Sequence, residues 1–198
     1  MQDTVWKKKE RNGKQLGSLN AFLNTRAHFT IVLPPLHLRK SYHLKLAVEL
    51  ANNLYNYFAA ESAIVENFRP SATLHGNAVF LDHYDVTSLG QFAVEFPIRV
   101  TDKTISLRDT RGRGMTFQGD LGVGSIFLHP LGEGRLALVI LGSDEDGLRA
   151  AARLLPLRTG VGQPDFVILG REAAWKGAEG VLAMGQFDSD WQISTAFF

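Results

Sequence analysis

Gly142-Ser143-Asp144 is the segment of this chain with the most chemical promise. It follows the apolar run Leu136 to Leu141 and precedes a helical stretch. Such a turn lies beyond the carboxyl end of a strand, where open α/β sheets gather ligands on the unpaired N–H groups of a helix N-terminus. Gly142, Ser143 and Asp144 are therefore the candidate ligand-binding residues, for a small anion or a nucleotide. Against this stand Asp144, Glu145 and Asp146, whose carboxylates would repel phosphate and satisfy the helix dipole themselves. A serine in such a turn also suggests a nucleophile. A nucleophile elbow, however, needs G-x-S-x-G, and neither Gly122-Val123-Gly124-Ser125 nor Gly142-Ser143-Asp144 has that spacing. Helix capping accounts for Ser143. Ser125 or Ser143 would have to act as an unorthodox nucleophile for the chain to be a hydrolase by itself, and no catalytic residue is assigned.

The other reactive side chains are less ordered in their spacing. His75, Asp82, His83 and Asp85 are close in sequence, and His37 and His43 flank the start of a helix. None forms the H-x-x-x-H pair that one helix face would offer a metal, so loop histidines and capping aspartates are expected, with no metal site. His129 before Pro130 reads as a strand-end residue. The glycine-rich stretches Arg111 to Gly114 and Gly119 to Gly124 contain neither a G-x-x-x-x-G-K-[ST] cradle nor a strand-linked G-x-G-x-x-G, and no cofactor is expected. Trp175 and Trp191 read as covers for the end of a sheet, or as part of an interface with a neighbouring domain.

These residues sit in a chain of 198 residues with a formal net charge of +1, long enough for one well-buried core. That balance gives no electrostatic case for nucleic acid or an anionic membrane. Absence of cysteine excludes disulfides, thiolate metal sites and cysteine nucleophiles. The first thirty or so residues contain no apolar segment of the secretory type, and no run is long enough to cross a membrane as a helix. Lys7, Lys8, Lys9, Arg11 and Lys14 read as a solvated leader.

The elements that must position the candidates follow from periodicity. Residues 1–27 are expected to form a flexible leader or linker, and 28–198 a single α/β domain. Phe29 to Leu33 is a buried strand stopped by Pro34-Pro35. Ser41 to Ala60 is an amphipathic helix capped by Ser41, with Leu44, Val48, Ala51 and Tyr55, joined by Leu54 and Phe58, as its packed face. Strands are expected at Ala63 to Val65, Ala78 to Leu81, Ile126 to Leu128, Leu136 to Leu141 and Asp165 to Leu169. A hairpin turns at Thr101-Asp102-Lys103, with a further short strand at Met115 to Phe117. A helix between Ser143 and Pro156 buries Leu148, Ala151, Ala152 and Leu155. The fold class is α/β: an open mixed sheet flanked by helices in a single three-layer domain.

Several segments, in order, resemble the C-terminal region of large fungal and bacterial proteins that carry a prolyl-oligopeptidase-type serine hydrolase domain upstream. They are LGSLNAFLNTRAHFTIVLP, SYHLKLAVELANNLYNYF, GNAVFL, SIFLHPLGEGRLALVILGSDEDGLRAAARLLPLRTGVGQPDFVILG and WKGAEGVLAMGQFDSDW. The resemblance runs from about Gly17 to Trp191 and is loose between Asp82 and Gly119. It implies that the catalytic serine, aspartate and histidine belong to the preceding α/β-hydrolase domain, outside these residues. On that footing the chain is a non-catalytic accessory or interaction domain. Its expected partner is a hydrolase domain, in cis or in trans, or a second copy of itself, with no nucleic acid and no membrane. The rival readings are a small-ligand module using the Gly142-Ser143 turn and the unorthodox serine hydrolase.

Overall fold

In the computed structural model the described residues are 10–66, 68, 74–83, 96–101, 104–109, 112–118, 122–131, 133–157 and 163–197. Asp85 and Gly119 of the candidate residues, and Lys7 to Lys9, lie outside them. Runs that are apolar at nearly every position become strands buried on both faces, whether their neighbours run parallel or antiparallel. These are β1 (Phe29–Val32), β3 (Ala78–Leu81), β7 (Gly124–Pro130), β8 (Leu136–Gly142) and β9 (Phe166–Leu169). With β2 (Ser62–Val65), β10 (Val181–Phe187) and β11 (Ile193–Phe197) they form an eight-stranded sheet in the order β11-β10-β9-β7-β8-β3-β1-β2. The half from β8 to β2 is parallel, and the half from β7 to β11 is antiparallel. A separate sheet joins β4 (Ile98–Thr101), β5 (Thr104–Arg108) and β6 (Gly114–Gln118), so the expected hairpin and short strand are both present.

Helix α1 spans Ser41–Phe58, α2 spans Glu145–Ala152, and the single turn α3 spans Ala173–Lys176. The expected unit of strand, helix and strand is β8-α2-β9, but β7 lies between its two strands. Pairs Gly124–Gly142, Ile126–Ile140 and Leu128–Leu138 share one face of β7 and β8. That face carries α2: a Cβ on Gly142 would stand 2.2 Å from the Leu148 nitrogen, and one on Gly124 would stand 2.1 Å from the Gly147 oxygen. Glycine at these positions is what lets helix and sheet backbones touch. Glu49 of α1 reaches Arg149 of α2 across 3.6 Å, so α1 covers the same face. On the other face Phe96, just ahead of β4, lays its ring 6.0 Å from Phe127, 4.5 Å from His129 and 5.3 Å from Phe187. The mixed α/β sheet is as expected. Among the described residues, though, its α-helices share one face, and the chain is richer in strand than the pattern suggested.

Two expectations about helices and ends need correction. The buried residues of α1 are His43, Leu46, Ala47, Leu50 and Leu54, while Leu44, Val48 and Tyr55 are 45, 45 and 64 % exposed. Ser41 is the first helical residue and Lys40 occupies the cap position. The leader is not solvated throughout. From Arg11 onward it is partly packed, with Gln15, Leu19, Ala21 and Phe22 buried while Asn12 to Lys14 and Leu16 stay exposed. The Arg11 guanidinium makes paired bonds of 2.7 and 2.8 Å to the Asp165 carboxylate and lies 5.0 Å from the Trp191 ring. A composition rich in lysine describes this stretch poorly because its anchor is a carboxylate 154 residues away.

Candidate functional site

The carboxyl ends of β3 and β8 bring together groups from three separate segments. Asp82 ends β3 with a left-handed backbone, φ 49°, and its N–H still donates to Ile140 at 2.7 Å, extending the ladder by one residue. Its carboxylate is thereby held beside α1 and the β8 turn. Oδ1 accepts from the Gly142 N–H at 3.3 Å, and Oδ2 meets His43 Nε2 at 3.0 Å. His43 is buried, and its Nδ1 accepts from the Lys40 N–H at 2.8 Å. That acceptor role places the ring proton on Nε2, which donates it to Asp82. The Tyr42 ring lies 4.4 Å from the His43 ring, tilted 57° to it. Its hydroxyl is held protonated above the ordinary phenol range, by burial first and then by the negative charges of Asp82, Glu145 and Asp144.

A His-Asp pair at the strand ends is the geometry in which acid–base chemistry is often built. Here both ring nitrogens of His43 are engaged within the fold, so neither can take a proton from an incoming nucleophile. The pair ties the start of α1 to the sheet. His43 and Asp82 stand 39 residues apart in the chain, and the parallel crossover brings them together.

The three residues first nominated lie together but turn their polar groups inward. Asp144 caps α2, Oδ1 accepting from the Gly147 N–H at 2.9 Å, while Oδ2 accepts from the Gly122 N–H at 2.9 Å. Ser143 Oγ accepts from the Val123 N–H at 3.0 Å, and the Ser143 N–H donates to the Val123 carbonyl at 2.8 Å. The Gly142 N–H is engaged by Asp82. The turn is thus a seam that sews the 122–124 segment to the helix start. Asp144, rather than Ser143, is the N-cap. Ser125 is buried in β7 on the face away from α2, its hydroxyl without a hydrogen-bond partner among the described residues.

Among the remaining candidates, His37 and His75 are exposed, and the described residues contain no group of three or more histidines and carboxylates that could hold a metal ion. His129 is fully buried, with Nδ1 2.9 Å from the Pro130 carbonyl oxygen. Burial lowers its pKa to about 4, against a weaker upward pull from that carbonyl. The two tryptophans separate: Trp191 is buried against Arg11 and Phe187, whereas Trp175 is 65 % exposed. Sequence reasoning missed Arg11 and Asp165, whose pairing had no local signal beyond a carboxylate at the start of an apolar strand.

No family profile matches the chain. It is similar to a protein of Arthroderma benhamiae described as an uncharacterized secreted protein, at 35 % identity over 194 residues. The alignment covers 96 % of this chain and 20 % of that protein, so the chain spans about a fifth of its relative's length.

Proposed function

We propose that this chain is a non-catalytic accessory module that packs against another part of a longer secreted protein. The observation that carries this reading is the outer stripe of α1. Leu44, Val48 and Tyr55 recur at helical spacing yet are 45, 45 and 64 % exposed. At about 100° per residue, Glu49, which reaches α2, lies roughly 120° around the helix from them. The stripe therefore faces away from α2, toward the β2 edge where the sheet ends. An exposed apolar face of this kind marks an interaction surface. A relative about five times as long supplies the kind of chain that would cover it.

The resemblance to the C-terminal region of prolyl-oligopeptidase-like proteins makes a serine hydrolase domain the partner in this reading, and places the chemistry there. The inward commitment of His43, Ser143 and Asp144 supports it. We extend the reading to a three-layer arrangement in which α1 and α2, the large sheet and the β4-β5-β6 sheet stack in that order, with Phe96 as the contact between the last two.

The test uses the source organism. An antibody against these 198 residues is expected to capture, from culture medium, a polypeptide several times larger than 21.9 kDa that reacts with a fluorophosphonate serine probe. In that polypeptide, glutamate at Leu44, Val48 and Tyr55 should expose the junction to proteolysis. Capture of an unlabelled 21.9 kDa chain would sink the proposal.

A further inference from the structure

Between α2, α3 and the Gly122 turn lies a cleft of 290 Å³ that neither the seam nor the α1 stripe uses. One wall is α2, where Asp146, Arg149 and Arg153 follow one another at spacings of three and four and so share a face. The other wall carries Arg171 and Trp175. Arg149 is already committed, its Nε 2.9 Å from Glu145 and an Nη 3.6 Å from Glu49. The guanidinium groups of Arg153 and Arg171 have no ion pair or hydrogen bond among the described residues. The stem of Arg171 rests on Gly122, its Cβ and Cγ each 2.9 Å from where a Cβ there would stand. Among the described residues Trp175 makes none of the ring or cation contacts that bury Trp191, and it leaves an exposed flat apolar surface at the cleft.

Each feature selects for one part of a ligand. Two guanidiniums with no partner among the described residues suit a carboxylate, which they bind through paired N–H groups. An exposed indole suits the C–H face of a ring. Asp146, an acceptor when ionised, suits hydroxyl groups. Inorganic phosphate or sulfate would use the arginines but leave Trp175 idle. A neutral sugar would use Trp175 and Asp146 but leave both guanidiniums unanswered. The volume, at the lower end of small-molecule sites (about 300 Å³), fits one ring better than several. We propose that this cleft binds a uronic acid residue, a six-membered sugar ring bearing a carboxylate, as found in acidic polysaccharides.

The test is a titration of the ¹⁵N-labelled 198-residue chain, following the indole N–H signals with short oligogalacturonates and oligoglucuronates, with neutral galactose and glucose oligomers, and with sodium sulfate. One of the uronate series should shift the Trp175 signal saturably, with the neutral series at least about tenfold weaker and sulfate leaving the indole unmoved. Trp175→Ala and Arg171→Met, both at exposed positions, should each weaken uronate binding by at least about tenfold at unchanged melting temperature. The proposal is overturned if neither uronate series shifts Trp175 up to about 20 mM. It is also overturned if neutral and acidic oligomers bind alike, or if both variants bind as the parent does.

Discussion

Replacing Arg11 with alanine tests whether the stretch ahead of β1 is part of the folded domain. The Arg11 and Asp165 side chains are only 6 and 3 % exposed, and their paired bonds are 2.7 and 2.8 Å long. Arg11 also donates to the Gln15 and Phe187 carbonyls, at 2.7 and 3.3 Å, and its own N–H meets Ser189 at 2.7 Å. Alanine removes every side-chain bond and leaves the Asp165 carboxylate buried with the Phe187 N–H, at 2.7 Å, as its remaining donor. Removing one partner of a buried ion pair costs about 3–5 kcal/mol, because the other charge stays out of water. Loss of the guanidinium over Trp191 adds about 1 kcal/mol. For a domain of this size each kcal/mol lowers the melting temperature by about 2–4 °C, so a total of about 4–6 kcal/mol means roughly 8–24 °C. Urea and thermal unfolding of Arg11→Ala at neutral pH measure this. A loss below about 1 kcal/mol, the worth of a solvent-exposed pair, would refute the buried clamp. The double variant Arg11→Met with Asp165→Leu should recover most of the loss, since it leaves no charge stranded.

Gly142→Ala should destabilise the fold by at least about 3 kcal/mol, or prevent soluble expression, because its methyl would meet the Leu148 backbone at 2.2 Å. A variant that unfolds at the parental urea midpoint would show that α2 does not sit on β8 so closely. His129 predicts acid sensitivity. Burial lowers its pKa to about 4 from 6.5, so the unfolded chain takes up the proton first. Stability from this group is complete above about pH 6.5 and is lost as pH falls toward 4, by up to about 3 kcal/mol. His129→Leu should flatten that part of the urea-midpoint profile; an unchanged slope between pH 6.5 and 4 would rule the mechanism out.

The sheet was legible and the helix face was not, for one physical reason. Strands buried on both sides, such as Ala78–Leu81 and Phe166–Leu169, are apolar at every position, and no choice of face has to be made. Helix α1 has apolar residues on two adjacent stripes, and periodicity ranks them by composition alone. The true inner stripe begins with His43, which scores as polar but is buried because Asp82 answers its Nε2–H. The outer stripe, with Leu44, Val48 and Tyr55, has no such interruption and so reads as the core. Local pattern also placed Ser143 and Asp144 correctly at a strand-to-helix turn. It could not show that Val123, Gly122 and Asp82 arrive from elsewhere in the chain to occupy that turn's donors and acceptors.

The two surfaces proposed to engage partners lie on opposite flanks of the helical layer. Glu49 points α1 toward α2, so the Leu44-Val48-Tyr55 stripe faces the β2 edge. The Arg153-Arg171-Trp175 cleft lies beyond α2, beside the loop after β9. A neighbouring domain seated on the first would leave the second open to solvent. That separation makes the two proposals independently testable. Glutamate substitutions on the α1 stripe should disturb docking without moving the Trp175 indole signal, and Arg171→Met should weaken uronate binding while leaving the domain junction resistant to proteolysis. If either substitution changed both readouts, the module would be a single coupled surface rather than a docking face with a ligand cleft on its far side.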